Sequence, residues 1–303
     1  MRASTTANSL TVRAGFTGIS TWRKIRNSMA TVLVTAAFLL ALVPLIWVLY
    51  TVVARGFTVI LRPGWWNLSL SGLLGRQQGG GVYHAIYGSL VTSLACAVLS
   101  VPIGIMVAVY LVEYGGRSRL SRTTTFMVDI LTGVPSIVAA LFIYALWIAI
   151  LGFPRSALAV SFALVLLMLP VVVRSAEEML KIVPNELREA SYALGVSKWK
   201  TIVRVVIPTA LSGMLTGIML ALARVMGETA PVLILVAYAP FINYNIFEGN
   251  MATLPLLMTV ERNNPTEAGA DRIWGSALTL ILIIALIGVL STIASRIFAV
   301  KSK

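Results

Sequence analysis

The chain has 303 residues, 58% of them apolar and 12% charged, with a formal net charge of +13. A soluble domain carries about 25% charged residues, so this composition reads as an integral membrane protein. One Cys and one His exclude an intrachain disulfide framework and are too few for a Cys- or His-based metal centre.

In chain order, residues 1–28 are basic, rich in Ser and Thr, and free of acid. They resemble the start of a signal peptide. The apolar run that follows, 29–53, is too long for one and no small-residue cleavage site closes it. The expectation is a disordered cytosolic tail and then a retained first membrane helix, with Arg23, Lys24 and Arg26 resting on anionic lipid headgroups. Residues 54–84 form an external loop. Its Gly-rich stretch, 72–81, lacks the Lys and the strand–helix setting of a phosphate-binding loop and reads as flexible. A second run covers 85–112, with His84 at its start and Cys96 inside it, both read as structural. The third (127–151) and fourth (156–173) runs are separated by four residues, which predicts an antiparallel helical hairpin. The fifth spans 209–237 and the sixth 273–298, before a short C-terminus at 299–303.

Each run suits the roughly 20 residues that cross a bilayer. All are expected to be helices, because lipid offers no partner to unpaired backbone amides. The predicted fold is therefore an all-α integral membrane bundle of six transmembrane helices, with a core over 85–298. Seventeen of the 24 Lys and Arg fall on one side if the N-terminus is cytosolic; Arg55, Arg62, Arg76, Arg155, Arg262 and Arg272 fall on the other. That asymmetry predicts cytosolic termini and a multi-pass protein of the cell membrane. The basic residues are spread over separate segments with no groove-reading motif, so no nucleic-acid partner is expected.

The segment 174–208 departs from this generic pattern, because it is polar, charged and cytosolic. Pro184 breaks the chain, Glu186 and Glu189 suit the first turn of a helix, and Gly195 is placed to end it. Ser197 can cap a second helix leading to Pro208 and the fifth run. In the fifth run, Arg224 and Glu228 are four apart and can pair on one helix face. An Arg at the centre of a membrane helix costs about 2.5–3.5 kcal/mol, so the pair is expected to face the bundle interior or a wet cavity. A guanidinium holds an oxyanion in a bidentate fork. Glu228 would orient it and could accept a hydrogen bond from a protonated phosphate oxygen. The bland reading is a buried ion pair that fixes helix packing. Pro135 and Pro231 can kink their helices or line a pore, and Arg174 can act as an inner stop on an anion path or as an interfacial anchor.

Glu189, Ala190 and Ser191, with Gly195 four residues on and Val205-Val206-Ile207-Pro208 after nine more, resemble the "EAA" signature of ABC-importer permeases. Ala223 to Pro231, including Thr229, and the stretch from Gly133 through Pro135 and Ser136 to Val138 resemble the PstA-type family of phosphate permeases. The likeness covers about 84–298. It implies a type I importer bundle (MetI-like) with no catalytic residue and no cofactor of its own. ATP and magnesium would belong to a PstB-like ATPase dimer docked on the cytosolic helix. A PstC-like second permease would complete the pathway, and a PstS-like external protein would deliver phosphate to the outer loops. A permease for another oxyanion or a phosphonate remains the near alternative. A proton-coupled transporter using Glu228 would not need the spaced coupling segment. An intramembrane enzyme lacks any nucleophile–base pair.

Overall fold

The computed structural model describes residues 20–298, with side chains as far as Arg296. Among these residues every regular element is helical. Residues 1–19 and 299–303, which hold most of the expected tail and the short C-terminus, lie outside the described residues.

Helix α1 runs Thr21–Ile60. It takes in the basic turns from Trp22 to Ser28, which the sequence reading assigned to the tail. Nothing between Trp22 and Met29 stops a helix, and Arg, Lys, Met and Ala are good helix formers. The chain divides within α1 into two compact units, Met1–Thr51 and Val52–Lys303. In the first, Leu33, Leu40, Trp47 and Tyr50 are all exposed, as befits a lipid-facing or partner-facing helix.

The second unit contains the remaining helices: α2 (Tyr83–Val109), α3 (Arg119–Thr132), α4 (Ser136–Ile143), α5 (Ala157–Ile182), α6 (Asn185–Ala193), α7 (Lys198–Thr201), α8 (Ile207–Met226), α9 (Ala230–Leu235), α10 (Leu254–Glu261) and α11 (Glu267–Phe298). Three widened, π-helical turns extend α2 (Tyr110–Tyr114), extend α4 (Tyr144–Ile150) and join α7 to α8 (Ile202–Val206). Among the described residues, five helices are long and apolar enough to cross a bilayer, and counting the bent pair α3–α4 as one span makes six.

That bent pair corrects the straight third helix expected over 127–151. α3 and the α4 segment meet at 106°. Gly133 ends α3, and Pro135 drives Val134 out of the helical region while starting α4 at its N-cap. The fourth run is longer than its apolar stretch: α5 continues through Arg174, Glu177 and Lys181 to Ile182. The fifth run is broken after Met226.

The core is built on α2 and α5, which run side by side in the same direction. Gly104 permits their approach, because a Cβ there would sit 2.7 Å from Cγ1 of Val172. Around them Cys96, Leu164, Met168, Leu222, Leu235 and Leu256 are buried together. A second cluster at the opposite end from α6 gathers Val59, Trp65, Val82, Leu257 and Leu278. There the Trp65 indole donates to Oγ1 of Thr279 at 3.0 Å.

At that same end the Gly-rich loop, expected to be flexible, is pinned. Arg272 is buried and donates to the carbonyls of Gly75 (3.1 Å) and Gln77 (2.8 Å) and to Oε1 of Glu261 (3.1 Å). Asn264 adds bonds to Gly75 O and to Oε2 of Glu261. A buried guanidinium needs its donors satisfied, and the loop's carbonyls supply what one carboxylate cannot. Burial, with Glu261 close by, also pushes the Tyr238 phenol above its ordinary pKa.

Three outcomes are expected in thermal unfolding of the detergent-solubilised protein. Gly104→Val overpacks the α2–α5 contact and costs about 1–3 kcal/mol, whereas Gly288→Ala, which meets nothing within 4 Å, does not lower the midpoint. Arg272→Ala strands Glu261 as a buried unpaired charge and costs about 3–5 kcal/mol.

Candidate functional site

The polar segment folds into the two helices its punctuation predicts. α6 starts after Pro184 and ends at Ala193, with Leu194 as its C-cap and Gly195 beyond it at φ +73°. The Val196 amide donates to Ser191 O (3.1 Å) and the Gly195 amide to Tyr192 O (2.9 Å), the paired bonds of a Schellman ending. A left-handed φ makes Gly the natural residue here, and no atom lies within 4 Å of where a Cβ would sit.

Glu189 and Ala190 are exposed on α6, while Ser191 is buried and shares a 2.8 Å hydrogen bond with the Thr201 hydroxyl. Beyond the helix, Leu194 (83%) and Trp199 (65%) are open to the surroundings. α6 thus presents two carboxylates, Glu186 and Glu189, with small residues and an apolar rim, on a surface with no partner among the described residues. Ser197 stands at the N-cap of α7, but its hydroxyl makes no capping bond. Pro208 lies in the first turn of α8, half-buried, just after the widened turn at Ile202–Val206. Its ring would crowd the carbonyl of Arg204 in a regular helix, and the wider turn relieves that.

Arg224 and Glu228 do not form the pair expected of them. α8 ends at Met226, Gly227 caps it, and Glu228 lies outside the helix, so the four-residue spacing no longer places both on one face. No ion pair within 4.0 Å joins them. Arg224 is exposed and Glu228 half-buried. Gly227 is a poor helix former, and Pro231 favours the first turn of a new helix. α9 accordingly begins at Ala230, with half-buried Thr229 at its N-cap and Pro231 buried.

The other break has the same construction. Pro135, exposed, is the N-cap of α4, and Ser136, half-buried, is its first residue. α4 packs against α9. The fold therefore brings Pro135, Ser136, Thr229 and Pro231 to the starts of two short helices in contact.

Arg174 stands apart from these. It is bound by Asp129 of α3 and by Oε2 of Glu177 at 2.7 Å, and Oε1 of Glu177 takes Lys181 at 2.7 Å. Its charge is matched by these two carboxylates. An apolar groove of about 320 Å³ opens between α8 and α11, lined by residues such as Met219, Ala223, Ile284 and Ile287. Among the described residues no charged side chain lines it.

One cluster of paired charges beside α6 escaped the sequence reading. Arg188 of α6 reaches Oε1 of Glu113, at the end of α2, with Nε (3.0 Å) and Nη2 (2.8 Å). Lys198 donates to the Glu113 carbonyl and lies 4.6 Å from the centre of the Tyr114 ring. Scarcity was the available signal. The chain has 11 carboxylates, and Glu113 falls at the end of an apolar run, where an unpaired acid is costly.

Residues 100–302 match the family described as binding-protein-dependent transport system inner membrane component. The chain is 62% identical over 265 residues, 88% of its length and 87% of the relative's, to the phosphate transport system permease protein PstA 1 of Mycobacterium tuberculosis (strain CDC 1551 / Oshkosh). It is 37% identical over 288 residues to the PstA of Yersinia pestis, covering 92% of each. Among solved structures, it resembles a chain of the inward-facing MetNI methionine ABC transporter with a TM-score of 0.56 at 19% identity, covering 72% of this chain and 94% of that one. A bacterial importer of alginate gives 0.62 at 12% identity, covering 93% and 99%. These two likenesses concern the fold.

Because Arg224 is exposed and has no ion-pair partner among the described residues, Arg224→Gln is expected to shift stability by no more than about 0.5 kcal/mol. Thermal unfolding of the assembled protein checks this; a loss of several kcal/mol would instead mark a packing role.

Proposed function

Since this chain belongs to the family of binding-protein-dependent transport system inner membrane components, and within it to the PstA-type permeases, we propose that it is the permease subunit through which an ATP-driven importer moves inorganic phosphate. It lies in the cell membrane with both termini cytosolic, in keeping with the distribution of its basic residues. A PstC-like permease completes the pathway. A PstB-like ATPase dimer carries the ATP and magnesium, and a PstS-like protein brings phosphate to the outer face.

The observation that carries this reading is α6. It is a short rigid helix, closed by Gly195, with Glu189 and Ala190 exposed and a rim of open apolar side chains. Such a surface suits a groove on a soluble subunit. α7 and α8 follow as one continuous helix, Lys198–Met226, so a displacement of the docked segment passes straight into the span that carries Arg224. Rigid-body transfer of this kind needs no chemistry in the permease itself.

Arg224 supports the anion. An exposed guanidinium in the last turn of a membrane helix faces a partner subunit or water, because facing lipid costs about 2.5–3.5 kcal/mol. Unpaired with Glu228, it keeps its fork free for two phosphate oxygens. Glu228, in the break just beyond, serves as a separate acceptor for a protonated phosphate oxygen. The neighbouring starts of α4 and α9, with Pro135, Ser136, Thr229 and Pro231, form a bend where backbone groups are released toward the path. Arg174 acts as an inner gate rather than a resting site, since an anion must displace Asp129 or Glu177 to reach it.

The test is phosphate uptake by right-side-out vesicles holding the co-expressed complex, with ATPase activity and subunit assembly followed in parallel. Arg224→Gln is expected to abolish uptake in an assembled complex, and Glu189→Lys to detach or uncouple the ATPase. Normal phosphate uptake by Arg224→Gln overturns the assignment of the anion path. Movement of another oxyanion or a phosphonate in place of phosphate retains the importer and replaces the substrate.

A further inference from the structure

We infer that the ion pair between Arg188 and Glu113 is a positioning latch that makes α6 and the adjoining end of α2 one rigid body. The displacement received by α6 is thereby delivered to α2 as well as to α8. The inference rests on the reading of α6 as the helix that docks the ATPase, and it names how the motion divides after docking.

Covalently, α6 is attached only to its neighbours in sequence. One link is the turn at Val183 and Pro184, and the other is the Schellman ending at Leu194 and Gly195. Both are turns, so the chain alone leaves α6 two pivots. Nothing in the sequence joins it to α2, which ends about 70 positions earlier. Arg188 supplies that connection. Two of its nitrogens converge on the same oxygen of Glu113, and the pair is nearly closed to solvent, with 13% and 6% of the two side chains exposed. Its remaining donors reach Leu180 O (3.0 Å) and Val183 O (2.6 Å), the open carbonyls at the end of α5. One guanidinium therefore gathers the ends of α2 and α5 and the body of α6.

A second strap lies beside the first. Lys198, at the start of α7, donates to the Glu113 carbonyl and sits over the Tyr114 ring. Glu113 is thus held through its side chain by α6 and through its backbone by α7. The residue lies in a widened turn, Tyr110–Tyr114, where the Gly115 amide reaches back to Tyr110 O. Such turns are frequent at functional sites. An ion pair in which two donors hold one carboxylate oxygen out of contact with solvent resists separation, whereas a salt bridge in water is worth little. α2 in turn packs along α5 through the heart of the core, so moving its end moves the bundle and not one helix.

Spin-label distances in the reconstituted importer test this directly. Labels on Glu186→Cys (α6) and Arg117→Cys (beyond α2) report the latch. Labels on Glu186→Cys and on a cytosolic site of the PstC-like partner permease report whether α6 moves at all. Glu186 and Arg117 are exposed, and buried Cys96 stays in place. Between the nucleotide-free and ATP-bound states the latch distance is expected to hold within about 2 Å while the distance to the partner permease changes by more. If α6 moves relative to the partner permease and the latch distance opens by about 5 Å, the latch is overturned and the docking reading stands. If neither distance changes, the docking reading fails and the latch with it.

Glu113→Gln provides the functional arm, because it removes the charge and leaves the Arg188 bonds to α5 intact. In an assembled complex it is expected to retain ATP hydrolysis while phosphate moved per ATP falls about tenfold. An unchanged ratio overturns the inference. If the variant does not assemble, the distances in the otherwise native chain decide alone.

Discussion

A charged group removed from water costs several kcal/mol unless it finds a partner with good geometry, and this constraint organises the protein more than any apolar contact. Only 12% of the residues are charged, yet Glu113, Glu177 and Glu261 are each ion-paired within the body. Glu113 meets Arg188 where α2, α5 and α6 come together. Glu177 joins Arg174 and Lys181 while Asp129 brings in α3. Glu261 and Arg272 close the loop over α10 and α11. Apolar packing is non-directional and tolerates sliding between helices; these ion pairs fix the ends of the helices that do the packing.

The same constraint separates the structural charges from Arg224. The guanidinium of Arg224 is exposed and without an ionic partner, in a chain that has arranged partners for Arg174, Arg188 and Arg272. The distinction supports a division of labour between Arg188 and Arg272, which hold the bundle, and Arg224, which is kept available to a passing anion.

How much of this was legible beforehand follows the range of each signal. The apolar runs were visible because crossing lipid demands length and hydropathy, both local properties. α6 was visible because Pro184, the early acids and Gly195 are local punctuation, and the structure returned the helix within a residue of its expected end. The two breaks were legible only as prolines. Hydropathy is blind to Gly133-Val134-Pro135 and Gly227-Glu228-Thr229, since a bent apolar run scores like a straight one. Reading Arg224 and Glu228 as a pair assumed an unbroken helix, and the weak helix former between them was the overlooked cue. α5 outlasted its apolar stretch because charged residues continue a helix once neighbouring side chains neutralise them. Arg188 and Glu113 lie 75 positions apart, and their pairing depends on a tertiary arrangement that no local window contains.

The widened turn at Ile202–Val206 has a consequence for how this protein tolerates change in length. Each residue advances an α-helix by about 100°, so the azimuth of Arg224 is set by the number of residues that precede it. A π turn holds one residue more than the regular helix around it. Losing one residue there is absorbed as the turn narrows, and the guanidinium keeps its bearing about five turns further on. Losing one residue between Pro208 and Arg224 has no such slack and swings the guanidinium about 100° toward a packed face. The helix can thus give up one residue on one side of Pro208 and none on the other.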